Sequence, residues 1–234
     1  MLYRLLALTE IGWRQRVANN SFFVVIEGID GAGKTSIARE LCNILRQTLG
    51  ENVLLTEEPH NESLMGAEIR SALRRERELR PVELAQAFAL NRSSHLKSVI
   101  ECHLQKKQAV VICDRYLLSS LVYQTRDDIT MEDIYQLNRW ARSPDLTIVL
   151  NVSAHIAYQR MDERSKSARE LFENDLPTRL KKYCAGIEML REEGQRIIEI
   201  CGDGELSDVI HDVLGALEEG APPWLRIQPP LLLA

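Results

Sequence analysis

Short, unbroken apolar runs alternate along the chain with longer stretches in which apolar residues recur every three or four positions. The runs Phe22–Glu27, Asn52–Thr56, Ala109–Cys113, Leu146–Val152 and Arg196–Cys201 read as strands. Several lack polar alternation, as expected of strands covered on both faces. Lys34–Leu49 carries Ile37, Leu41, Ile44, Leu45 and Leu49 on one broad face and stops at Gly50. Pro81 suits the first turn of a helix, and Val82–Lys107 continues it through Leu84, Ala85, Phe88, Leu96, Val99, Ile100 and Leu104. Met131–Ala141, Ser153–Arg164 with Ser153 as N-cap, and Leu206–Leu217 are further helices. Five strands alternating with helices predict an α/β fold with a parallel sheet and right-handed crossovers. Ligands of such sheets bind beyond the carboxyl ends of the strands.

Composition narrows this little. The 234 residues suit one large domain, and the formal net charge of −5 argues against an overall basic footprint for nucleic acid. Cys42, Cys102, Cys113, Cys184 and Cys201 form no C-x-x-C pair or metal-ligand spacing. Their scatter favours a reducing compartment, with Cys113 and Cys201 as buried thiols. The early apolar run LLAL is too short to span a membrane and precedes no small-residue cleavage site. The end APPWLRIQPPLLLA is rich in proline.

The chemistry starts at IEGIDGAGKTS. Gly28-Ile29-Asp30-Gly31-Ala32-Gly33-Lys34-Thr35 matches G-x-x-x-x-G-K-S/T without a mismatch, after a strand and before an amphipathic helix. The glycines let backbone N–H groups turn toward phosphate oxygens, and the helix adds its positive end. Lys34 supplies a charge for the β and γ phosphates, and Thr35 a hydroxyl for Mg²⁺. Ser36 completes the set of ATP contacts. A guanine-reading N-K-x-D and an LSGGQ signature are both missing. The third strand ends at Asp114, a carboxylate placed to hold Mg²⁺, and Arg115 follows with a planar fork suited to phosphate.

The combination FVVIEGIDGAGKT, FALNRSSHL, VVICDRYLLSSLVYQ and PDLTIVLNV resembles the thymidylate kinases, the dTMP kinases of the P-loop nucleoside monophosphate kinase group, over roughly residues 22–201. D-R-Y-x-x-S-S-x-x-Y-Q is the specific part. The resemblance implies a three-layer P-loop NTPase fold with a five-stranded parallel sheet flanked by helices and a mobile lid. It divides the chain into an extension at 1–20, a kinase domain at 21–220 and a tail at 221–234. The implied reaction moves the γ-phosphoryl group of ATP to dTMP with Mg²⁺. Asp30 matches a carboxylate near the acceptor's sugar and phosphate, and Arg115 the arginine that holds the acceptor phosphate. Phe88 matches the aromatic that stacks on thymine, Arg92 the arginine that reaches its O4. Ser120 matches the position near N3, and Tyr123 the residue crowding the sugar 2′ position. A homodimer in the cytoplasm, without nucleic acid or membrane partners, is the implied setting.

The polar stretch AYQRMDERSKSARELFEND resembles the lid of these kinases, about 157–175. The phosphate loop carries no arginine, which directs the search for a catalytic arginine to Arg160, Arg164 and Arg169. One departure concerns the acceptor. Bacterial members carry T-R-E-P-G-G-T where this chain has Thr56-Glu57-Glu58-Pro59-His60-Asn61-Glu62, so an acid replaces an arginine that helps the acceptor phosphate. Arg70 or a lid residue is the candidate to compensate. Asn151 stands where Asp is common, and His60 reads as a solvent-facing loop histidine. Two alternatives stay open: a kinase for another nucleoside monophosphate, and an ATP-binding regulatory protein with a degenerate acceptor site.

Overall fold

Strand β1 (Phe22–Gly28) is buried along its whole length, and the sheet is built outward from it. The computed structural model describes residues 20–164 and 176–225. β3 (Val110–Asp114) and β4 (Leu146–Asn151) pair with β1 on either side. β2 (Val53–Glu57) and β5 (Ile197–Cys201) form the edges, giving the parallel order β2-β3-β1-β4-β5. The helices are α1 (Lys34–Leu49), α2 (Leu64–Leu73), α3 (Pro81–His95), α4 (Glu101–Leu104), α5 (Leu117–Gln124), α6 (Met131–Asn138), α7 (Ala154–Arg164), α8 (Leu176–Glu192) and α9 (Leu206–Gly220). α1 and α9 pack together on one face of the sheet, while α5 crosses β1 on the other with α3, α6 and α8 around it. This is the three-layer α/β fold of P-loop NTPases.

The five strands stand where the apolar runs placed them, and α1 has the expected bounds. Pro81 opens α3, and the Glu83 carboxylate accepts from the Arg80 N–H at 3.0 Å, closing its first turn. Ser153 caps α7, its Oγ accepting from the Ile156 N–H at 3.4 Å. The long helix expected from Val82 to Lys107 is interrupted, because Leu96–Ile100 forms a π-helical segment between α3 and α4. Three helices escaped the periodicity: α2, α5 and α8. α5 buries Leu117, Leu118, Ser120, Leu121, Val122, Tyr123 and Gln124, so it has no exposed polar face and no stripe to detect. Cys113 is buried as expected, but Cys201 is exposed, because β5 is an edge strand that alternates between inside and outside. Among the described residues no helix is long and apolar enough to cross a membrane. The extension to residue 19, residues 165–175 of the expected lid, and the tail from 226 lie outside the described residues.

Register brings the functional residues to one edge. Ile26 pairs with Asp114, Glu57 with Asp114, and Gly28 with Leu150, so the loops after β1, β2 and β3 leave the sheet together. The last side chain of β1 is Glu27, a carboxylate with no exposed surface. Its Oε1 accepts from the N–H groups of Tyr116 at 2.8 Å and Ser119 at 3.0 Å, and its Oε2 from the Ser119 hydroxyl at 2.7 Å. These are donors at the N-terminus of α5, where a helix favours negative charge. Burial pushes the Glu27 carboxyl up from its ordinary pKa, opposed by the Ser119 and Tyr116 hydrogen bonds and by Arg115. Removing the carboxylate would leave buried N–H groups unpaired. Glu27→Ala is expected to lower the unfolding free energy by about 3 kcal/mol, and Glu27→Gln, which keeps an acceptor, by less than half of that. Urea denaturation of the two variants checks this; equal losses would show that side-chain packing, not hydrogen bonding, is what Glu27 provides.

Candidate active site

The loop between β1 and α1 can take its path only with glycine at Gly31. That residue has φ 81, and a Cβ there would come within 2.4 Å of the Ala157 carbonyl oxygen of α7. Gly33, at φ 88, turns the chain into α1. Lys34 is folded under the loop, its Nζ donating to the Ile29 carbonyl at 2.7 Å. Burial, then the charge of Arg115, brings its pKa down to about 8 against the pull of Asp30, Asp114 and Glu27. It therefore stays a cation near neutral pH. Thr35 donates its hydroxyl to Asp114 Oδ2 at 2.5 Å. The other oxygen, Asp114 Oδ1, is buried with no partner among the described residues. A hydroxyl beside a carboxylate with a spare buried oxygen is the hard-oxygen donor set that Mg²⁺ takes.

A cavity of 320 Å³ is lined by Thr35 and Asp114, and two others flank the loop. One, of 400 Å³, is bounded by Ala32, Gly33, Ser36, Arg160 and the loop from Gly202 to Leu206. Arg160 donates to the carbonyls of Gly202 at 2.8 Å and Gly204 at 3.1 Å. It thus forms a wall of this cavity. The side chain of Arg164, and all of Arg169, lie outside the described residues. The Gly202–Leu206 loop was not singled out from the sequence, although its two glycines directly after the fifth strand mark it.

The other cavity, of 260 Å³, gathers Asp30, Arg70, Phe88, Arg92, Arg115, Ser120, Tyr123 and Gln124, together with Glu57 and Asn61. All six residues expected at the acceptor besides Asp30 are therefore in one wall set, brought from α2, α3, the end of β3 and α5. Arg92 is 1% exposed and braced on all sides: Nε donates to Glu58 Oε2 at 2.8 Å, Nη2 to the Ser120 hydroxyl at 2.8 Å, and Nη1 to Asn138 Oδ1, while the guanidinium stacks on the Tyr116 ring. His95 continues this network from Glu58 to Thr56, its ring 3.3 Å and 2.7 Å from their oxygens. His60 is not the free loop side chain expected; it stacks on His95 at 4.4 Å, and Asn91 holds its backbone on both sides. Glu57 turns its Oε1 to the Asn61 amide at 2.7 Å. Arg70 donates through Nη2 to the Asn61 carbonyl at 3.1 Å, while its buried Nη1 has no partner among the described residues. Gln124 Oε1 is in the same condition. The three orphaned atoms belong to residues lining cavities, the places where a ligand completes the bonding.

Asp30 stands where the loop meets the 260 Å³ cavity. Arg115 Nη2 bonds its Oδ1, and the Tyr123 hydroxyl donates to its Oδ2 at 3.0 Å. Arg115 itself has φ 67, a conformation uncommon for a side-chain-bearing residue and held here by the N–H bond to the Ile26 carbonyl at 3.0 Å. A further residue joins that went unnoticed in the sequence: Arg179 of α8, with Nη1 3.4 Å from Asp30 Oδ2 and its guanidinium 5.2 Å from the Tyr123 ring centre. Only its place on the packed face of a helix distinguishes it, and α8 itself was not predicted. Burial raises the Asp30 pKa, but Arg115, Lys34 and the Tyr123 hydroxyl outweigh it and hold the carboxyl at about 2. The unfolded chain, with its ordinary value of 3.8, takes up the proton first as pH falls. Asp30 therefore adds stability above about pH 4 and loses it as pH falls toward 2, a contribution of roughly 2 kcal/mol. Denaturation midpoints from pH 6 to pH 2 are expected to fall more steeply for the parent protein than for Asp30→Asn; parallel curves would remove the assigned charge pairing.

Comparison with known proteins points to one family. The family model described as thymidylate kinase matches residues 26–211. A probable thymidylate kinase of Pyrococcus abyssi is 34% identical over 207 residues, covering 83% of this chain and 98% of that protein. One from Methanococcus aeolicus is 36% identical over 192 residues, covering 81% and 91%. One from Staphylothermus marinus is 41% identical over 143 residues, covering 61% and 69%. Among solved structures, the thymidylate kinase of Ehrlichia chaffeensis superposes with a TM-score of 0.62 at 26% identity, covering 85% of this chain and 99% of that one.

Proposed function

The chain belongs to the thymidylate kinase family, and from that premise we propose that it transfers the γ-phosphoryl group of ATP to dTMP, giving dTDP and ADP. The observation that carries this reading is the Asp30–Arg115 pair, which stands at the seam between the glycine-rich loop and a separate cavity lined by Arg70, Phe88, Arg92, Ser120 and Tyr123. ATP binds with its phosphates on the loop N–H groups and Lys34, and its base toward the 400 Å³ cavity. dTMP binds in the other cavity. Phe88 stacks on the base, Arg92 and Ser120 meet its polar edge, and Tyr123 closes on the sugar. Arg115 holds the phosphate, and Arg70, with its unpartnered Nη1, supplies a cation in place of the arginine lost to Glu57.

Thr35 and Asp114 hold Mg²⁺, which neutralises phosphate charge when bound. The protein's part in the reaction is positioning. An oxygen of the acceptor phosphate forms a bond to Pγ as the bond from Pγ to the bridging oxygen breaks, and the electron pair stays on ADP. The attacking oxygen is already anionic, so no general base is needed. Arg115 fixes its distance and direction, and Lys34 meets the charge on the donor phosphates.

Purified protein assayed with ATP against dTMP, dUMP, dCMP and dGMP is expected to show a clear preference for dTMP; equal turnover of any other would end the substrate assignment. Release of ADP with no phosphorylated acceptor would favour a regulatory ATPase instead. Lys34→Ala should lower kcat by about a hundredfold or more, with the fold intact. Arg115→Ala should raise the KM for the monophosphate about tenfold or more, leaving that for ATP nearly unchanged. Equal effects on both substrates would move Arg115 out of the acceptor site.

A further inference from the structure

A chain of polar contacts runs from the sheet to Arg92 in the wall of the 260 Å³ cavity. It starts at Thr56 of β2, whose hydroxyl oxygen is 2.7 Å from Nε2 of His95. His95 Nδ1 is 3.3 Å from Glu58 Oε1, and Glu58 Oε2 accepts from Arg92 Nε at 2.8 Å. A carboxylate only accepts, so Nδ1 carries the ring hydrogen and Nε2 accepts from the Thr56 hydroxyl. His95 has no exposed surface. His60 lies against its ring, with ring centres 4.4 Å apart and planes 8° from parallel. Asn91 fastens the His60 backbone through both its N–H and its carbonyl. With both nitrogens bonded and one face covered, the His95 imidazole has a single orientation.

That orientation controls the Glu58 carboxylate. The last torsion of a glutamate is soft, so one bond leaves the carboxylate plane free to turn. The second oxygen, held by His95, removes that freedom. Arg92 follows, because its guanidinium is a rigid plane and a turn at Nε turns every N–H of the fork. Its partners Ser120 and Asn138 are neutral, and Ser120 Oγ is shared with the Gln124 amide at 3.1 Å. Glu58 is the charged partner of Arg92 among the described residues, and charge-assisted bonds are the stronger ones. His95 is three residues after Arg92, on the same side of α3, and the winding changes from α to π directly after it. Such segments recur at functional sites. Apolar side chains would fill this volume without burying charge, so what the network contributes is direction.

We propose that His95 is a positioning residue for base recognition: through Glu58 it fixes the plane of the Arg92 guanidinium, and so sets how strongly the cavity prefers a base with a carbonyl where cytosine carries an amino group. This rests on the kinase reading above, in which Arg92 meets the polar edge of the base. A guanidinium has donors only, so a carbonyl oxygen suits it and an amino group does not. A site built this way rejects the wrong base because that base leaves buried donors unpaired, and the rejection fades when the donors can turn away. Glu58 and Arg92 line the cavity and His95 does not, so its effect on the base passes through them.

The test compares His95→Gln and His95→Asn with the parent protein, using ATP and either dTMP or dCMP. Glutamine places its amide near the position of Nε2, beside Thr56, and loses the donor to Glu58. Asparagine places its amide near the position of Nδ1 and keeps that donor. His95→Gln is expected to raise the KM for dTMP about tenfold and to lower the dTMP-to-dCMP ratio of kcat/KM about tenfold, with kcat and the KM for ATP within about threefold of the parent. His95→Asn should keep the parent's ratio within about threefold. The ratio does not depend on how much of a preparation is folded, so a loss of stability alone leaves it unchanged. An unchanged ratio in His95→Gln overturns the inference, and so does an equal fall in both variants. Should His95→Gln not fold, Thr56→Val, which releases the other side of the ring, is expected to lower the ratio about threefold or more. An unchanged ratio there, or failure of both to fold, assigns His95 to the core alone and overturns the inference. If the parent does not prefer dTMP to dCMP, the substrate reading fails and this inference with it; if the parent prefers dTMP and His95→Gln equally so, the inference alone fails.

Discussion

A carboxylate with no exposed surface, Glu27, joins the central strand to the helix that carries Ser120, Tyr123 and Gln124 of the candidate site. Burying a charge costs several kcal/mol unless donors replace its water. Here the replacement is the N-terminus of α5, whose N–H groups lack intrahelical partners and would otherwise be buried unpaired. Each side removes the other's penalty, and the result is positional. With α5 fixed to the end of β1, Ser120, Tyr123 and Gln124 face the cavity. Arg115, caught between the end of β3 and the start of α5, is forced into its left-handed backbone conformation. Strand and helix are joined at this edge because they share one buried carboxyl group.

Around that joint the protein separates satisfied from unsatisfied polar groups. The Arg92 guanidinium is fully buried and fully braced by Glu58, Ser120, Asn138 and the Tyr116 ring, so its orientation is set before any ligand arrives. Arg70 Nη1, Asp114 Oδ1 and Gln124 Oε1 are buried without such bracing among the described residues. That contrast is the physical signature of a binding site: rigid groups shape the cavity, and incomplete ones await a partner. It also gives meaning to Glu57. Its Oε1 accepts from the Asn61 amide, and the same Asn61 orients Arg70 through its carbonyl.

Much of the architecture was legible because strands and α1 write their environment into local pattern. β1 and β3 are apolar up to the carboxylates at their carboxyl ends since helices cover both faces, and α1 has a stripe since one side meets water. The phosphate loop was legible because its path demands glycine. α5 was not, being buried almost all round, and the π-helical interruption after α3 has no compositional mark. Of the residues around the 260 Å³ cavity, Phe88, Arg92, Ser120 and Tyr123 could be singled out only through motif resemblance, since each by itself is an ordinary core ring, hydroxyl or helix charge.

By itself, then, the sequence determined the parallel α/β layering, the glycine-rich loop with Lys34 and Thr35, and the edge of the sheet at which the candidate site lies, all of them consequences of residue type at short range. Only the tertiary structure decided which distant side chains meet. It paired Glu27 with α5 across 92 positions, set Arg160 in the cavity wall beside Gly202, and brought Arg179 to Asp30 across 149. The reason is that a buried charge takes whatever partner packing places within reach, and that reach is set by how sheet register and helix docking fold the chain back on itself, which no local spacing records.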